Sequence, residues 1–226
     1  MNRKLTAWKK SRKFGDIFGG RERLKLDDNI FKRCHSLSRP APDDELPIVI
    51  EDNPSRDFFF PLTAAEVVQA LQALPKKDYS QITHIWLRRL KKTEYEVGNL
   101  PQAEFICGRG VRLIVLYPTP KDMVVKLGNK KPSRRRMKEL GKWCSDISIK
   151  NGVWSAKWSL NELRGYYINT LLYHEVGHHI DWYYRQWSKA NSKKLEEFAD
   201  QYAMQKTATA TYVLNRLNNQ ANNEST

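Results

Sequence analysis

From residue 174 the chain reads HEVGHH, and eighteen residues past His178 it reads EEFAD. On a helix, residues four apart lie one turn along the same face, so His174 and His178 can turn their imidazoles toward one ion. Glu175 sits beside that face, close enough to take a proton from water held there without being a ligand. Two neutral ring nitrogens and a carboxylate base are what hydrolysis at a Zn2+ ion requires.

A catalytic zinc takes a third protein ligand and keeps one position open. Asp181 is the nearest candidate, but it lies about 10.5 Å from His174 along an unbroken helix and reaches the same ion only if that helix breaks. Glu196, Ala199, Asp200 and Ala203 share a helical stripe whose two alanines permit a close approach to the histidine-bearing helix. Glu196 is therefore the expected third ligand, with Glu197 its rival. Asp200, one turn on, is expected to accept a hydrogen bond from the far nitrogen of a ligand histidine and so fix its tautomer. His179 reads as a supporting or surface residue, and His35 and His84 as structural. An unbroken helix to Trp187 would return Glu196 only about 6 Å toward histidines that lie about 14 to 20 Å from the turn. The helix is accordingly expected to end near residues 180–184, or the linker to be irregular.

The pair HEVGH and EEFAD resembles the gluzincin branch of the zincin metallopeptidases, in which H-E-x-x-H on one helix is joined by E-x-x-x-D on the next. The CAAX-prenyl endopeptidases, HtpX-like proteases and ImmA/IrrE proteins carry similar pairs. The resemblance covers residues 159 to about 206. It implies a zincin-like domain, a zinc cofactor, ligands His174, His178 and Glu196, a general base in Glu175, a supporting Asp200 and a protein or peptide substrate. The membrane-spanning helices of some of these relatives are not expected here, because no run approaches the roughly 18 to 20 apolar residues that cross a bilayer.

The elements that must position these residues are legible. PIVIED is a strand candidate, and LTAAEVVQALQALP is a helix opened by a Thr63–Glu66 capping box, stapled by Leu62 and Val67 and closed at Pro75. ITHIWLRRL reads as a strand, and AEFICGRGVRLIVLYP as a hairpin turning at Gly108 and Gly110. Asn151-Gly152 marks a second hairpin in which Trp154, Ala156 and Trp158 share a face. Ser159 and Glu162 cap a long helix over NELRGYYINTLLYHEVGHHIDWYY with Ile168, Leu172, Val176 and Ile180 as its buried stripe, and a further helix follows through LEEFADQYAMQ. The order predicts an α+β fold with a mainly antiparallel sheet. The strands VRLIVLYP or VWSAKWS are expected to pin an extended substrate. Tyr166, Tyr167, Tyr173, Tyr183, Tyr184 and Tyr202 are candidate oxyanion donors.

Length and composition suit a single soluble core: 226 residues, 40% hydrophobic and 28% charged. Residues 1–45 are expected to form a basic arm, 46–215 the domain and 216–226 a disordered tail. The basic start has no apolar run behind it, and Cys34, Cys107 and Cys144 form no C-x-x-C pair, which points to a reducing, cytoplasmic setting. The net charge of +14 is gathered in residues 1–33 and 121–142, each contributing +7, as a polyanion-facing surface would be. The alternative function is accordingly a nucleic-acid-associated protein whose zinc is structural or sensory, or a protease acting on nucleic-acid-bound proteins.

Overall fold

The computed structural model describes residues 37, 39–90, 102–108, 110–144, 146–184 and 192–224. The expected basic arm lies almost wholly outside them. Strand β1 (Ile48–Glu51) and the short β2 (Phe58–Phe59) precede helices α1 (Ala64–Gln72) and α2 (Lys76–Tyr79). Strands β3 (His84–Leu87), β4 (Ala103–Gly108), β5 (Val111–Leu116), β6 (Thr119–Pro120) and β7 (Val124–Gly128) follow. After α3 (Arg134–Leu140) come β8 (Asp146–Lys150), β9 (Val153–Lys157), α4 (Leu160–Tyr166), a π-helical turn (Tyr167–Leu172), α5 (Tyr173–Tyr184), α6 (Ser192–Gln205) and α7 (Thr207–Glu224).

The result is an α+β domain in which, among the described residues, four of the six strand pairings are antiparallel. The principal sheet, ordered β1-β3-β5-β4, is mixed: β1, β3 and β5 run parallel and β4 closes the edge antiparallel. Parallel neighbours need a crossover, and α1 with α2 supplies it between β1 and β3. The apolar run of β5 is explained by burial on both faces, with Ile114 and Leu116 turned to the helices and Val111, Leu113 and Val115 turned to a second cluster with Leu37, Phe58 and Ile106. A separate antiparallel sheet, β7-β9-β8, carries the second hairpin. Asn151 and Gly152 both adopt positive φ, 50° and 75°, as a two-residue hairpin turn demands.

Both capping boxes form, and Glu66 does double duty: one carboxylate oxygen closes the α1 box, and the other accepts from Arg164 of α4. Ile168, Leu172 and Val176 are fully buried, and Ile180 is partly so. The Tyr173 hydroxyl donates to the Ala70 carbonyl at 2.9 Å, and that of Tyr202 to Asp78 at 2.8 Å, fastening α5 and α6 to the crossover helices. The long helix contains six π-helical residues, and α7 runs through Glu224, with Val213, Leu214 and Leu217 packed into the core.

Candidate metal centre

Helices α5 and α6 meet at Gly177. A Cβ built there would stand 2.7 Å from Ala199 Cα and 3.2 Å from Ala199 Cβ, so the crossing depends on a missing side chain opposite a small one. Upstream, the wider π turn turns Asn169 inward, where its amide donates to the Ala203 carbonyl at 2.7 Å. These two contacts set α6 against α5 and fix where the first half of α6 can reach.

His174 and His178 stand one turn apart with ring centroids 4.6 Å from each other. Across the crossing, one Glu196 oxygen lies 3.5 Å from His174 Nε2 and the other 3.5 Å from His178 Nε2, and the three ligand groups gather within 4.8 Å. Ligands about 2.0–2.1 Å from a tetrahedral ion are about 3.3 Å apart, so the observed spacing fits zinc. His174 Nδ1 donates to Asp200 at 2.9 Å, which leaves Nε2 as the unprotonated nitrogen facing the site. Burial, with the His174 ring alongside, holds His178 near a pKa of about 4, so its imidazole stays neutral and competent to ligate at ordinary pH.

Glu175 is buried between α5 and the edge strand β4, whose Phe105 N–H donates to its carboxylate. Burial raises its pKa to about 7, against the opposing pull of His174 and the Phe105 hydrogen bond. A carboxyl poised near neutrality can both accept and return a proton. The remaining candidates are placed elsewhere. Glu197 lies outside the cluster of His174, His178 and Glu196 and pairs with Lys193 at 3.8 Å on the surface. His179 packs edge-on against Phe105, and Asp181 is buried outside the triad.

A cleft of about 950 Å³ opens onto His174 and Glu175. One wall is the start of β4 at Gln102 and Ala103, and the other is β7 with the turn after it. Neither strand named for substrate pinning can serve along its length, since β5 and β9 are interior strands of their sheets; β4 is the edge strand beside the cleft. Of the candidate tyrosines, Tyr166 lines the cleft, but its hydroxyl already donates to Gln102 at 2.6 Å and accepts from Arg136 at 3.0 Å. The hydroxyls of Tyr167, Tyr173 and Tyr202 are spent on Tyr117, Ala70 and Asp78, and the side chains of Tyr183 and Tyr184 lie outside the described residues. Gln102 and Arg136 carried no sequence signal: they are 34 residues apart and meet only through the fold.

The arrangement of His174, Glu175, His178 and Glu196 on paired helices beside a mixed sheet is that of an HExxH zincin-type metal site. The chain matches no family model, no curated protein and no solved structure. The class therefore rests on this geometry: a His/His/Glu triad able to hold Zn2+ for metal-activated catalysis. Among the described residues, no helix is long and apolar enough to cross a membrane.

Proposed function

We propose that the chain is a cytoplasmic zinc metalloendopeptidase of the gluzincin type that hydrolyses a peptide bond in an extended segment of a protein substrate. The observation that carries this reading is the convergence of both Nε2 atoms and the Glu196 carboxylate, with a separate buried carboxylate at Glu175. His174, His178 and Glu196 would hold the ion, which supplies the Lewis acidity that brings the pKa of water toward about 7 and polarises a carbonyl. Glu175 takes the proton from the attacking water and returns it to the leaving amine. Asp200 keeps His174 in its ligating tautomer. The start of β4, ahead of the Phe105 N–H already given to Glu175, offers main-chain hydrogen bonds to an extended peptide, and the apolar side chains of Leu90, Val125 and Leu127 line the cleft where its side chains would lie.

Glu175→Gln is the direct test. It removes the base and none of the ligands, so the variant should hold zinc as tightly as the parent while turnover falls at least about 100-fold. Full peptidase activity in that variant refutes the role.

A further inference from the structure

The basic excess of residues 121–142 continues through the strands that follow. Residues 121–157, which form β7, α3, β8 and β9, carry eleven Lys/Arg against three Asp/Glu. Register places Lys126, Ser155 and Ser148 in one cross-strand row, with Lys157 and Lys150 on the same outer face. All three lysines are exposed, as are Lys130, Lys131 and Arg134 in the turn and helix start beyond β7. Asp146 is the acidic residue of that face among the described residues, opposite Lys157. The other face of this sheet packs Val125, Ile147 and Ala156 on the core, so the lysines have a rigid support.

We propose that this outer face, with the turn leading into α3, docks the phosphate backbone of nucleic acid without reading its bases. Cross-strand neighbours about 4.8 Å apart set the Lys126 ammonium beside the hydroxyls of Ser155 and Ser148, and both kinds of group serve phosphate oxygens. The exposed Ile149 of this sheet pairs with Trp154 and so lies on the opposite face, and among the described residues the lysine face carries no exposed large apolar side chain for an anionic bilayer to take up, which favours nucleic acid over a lipid surface. Lys126 also lines the cleft, as does Asn129 of the adjoining turn, so nucleic acid held here runs beside the metal centre. The surface thus names the partner class of the proposed peptidase, a protein bound to nucleic acid, and rests on that reading for this last step alone.

The test is fluorescence anisotropy of the full chain with a labelled DNA duplex of about three helical turns, across a salt series and with no peptide present. Lys130→Glu, Lys150→Glu and Lys157→Glu together should weaken binding about 10- to 100-fold at about 0.1 M salt. They should also flatten the log–log salt slope by about 3, from roughly 0.9 per phosphate contact. A second triple variant, Lys76→Glu, Lys77→Glu and Lys194→Glu, makes the same change in net charge at exposed sites elsewhere and should stay within about 3-fold of the parent, since only contacted phosphates count. Thermal melts of both variants establish that they fold. Equal losses in the two variants, or loss in neither, overturn the surface, and tighter binding to anionic vesicles than to the duplex overturns the choice of partner. Because the readout is binding alone, its failure leaves the peptidase reading untouched, and an inactive enzyme leaves the binding result standing.

Discussion

Replacing Gly177 by alanine separates the metal centre from the fold that carries it. The new methyl would meet Ala199 Cα at 2.7 Å, whereas ordinary contact begins at 3.4 Å, so α5 and α6 must part by about 0.7 Å at their crossing. The obstruction is backbone, which no rotamer change can clear. Overpacking of this kind costs about 1–3 kcal/mol, and the exchange of glycine for alanine inside a helix returns about 1 kcal/mol, so the variant should fold with a net loss of no more than about 2 kcal/mol. Zinc binding has less slack: ligand distances hold within about 0.2 Å, and Glu196 sits one turn from Ala199 on the displaced helix. Zinc affinity should fall about 10- to 100-fold, measured by competition against a chromophoric chelator, while urea melts with chelator present show the fold intact. Parent-like affinity in Gly177→Ala would refute the claim that this helix contact sets the ligand geometry.

Asp200→Ala leaves all three ligands but releases His174 Nδ1, and zinc affinity should drop about 10- to 100-fold by the same competition assay; no change would remove Asp200 from the site. Acid should destabilise the metal-free chain. His178 and His179 have folded pKa values near 4, depressed from 6.5 by burial, so between those limits the unfolded chain binds protons that the folded one refuses and stability falls with pH. Glu175, raised from 4.5 to about 7, works in the opposite sense, since its contribution is lost as pH rises through that window. Two histidines against one carboxyl leave a net loss of a few kcal/mol between pH 6.5 and 4.5, at about 1.4 kcal/mol per unit. Urea melts that show equal or greater stability at the acid end would contradict this, and the loss should shrink in His179→Gln.

The site was more legible than the fold around it. Helical period alone places His174 with His178, and Glu196 with Asp200, because side chains four apart must share a face. The alanine stripe announced a close helix contact, although the decisive partner was Gly177, which lies within the motif itself. Strand order had no comparable signal. Apolar runs mark β3 and β5 as buried, but only the crossover through α1 and α2 decides that β1 and β3 run parallel, and sequence alone promoted two interior strands to substrate edge in place of β4. The π turn at Tyr167–Leu172 left no mark in composition, and the contact it carries, from Asn169 to the Ala203 carbonyl, is a tertiary one. Gln102, Arg136 and Tyr166 likewise come together from three separate elements.

The central claim is tested most directly by zinc K-edge X-ray absorption on the purified protein, read beside elemental analysis of the parent and Glu196→Gln. The structure predicts about one zinc per chain, with two imidazole nitrogens and carboxylate oxygen at about 2.0–2.1 Å, and loss of metal in the variant. A spectrum with one imidazole or none, or undiminished zinc in Glu196→Gln, would contradict it.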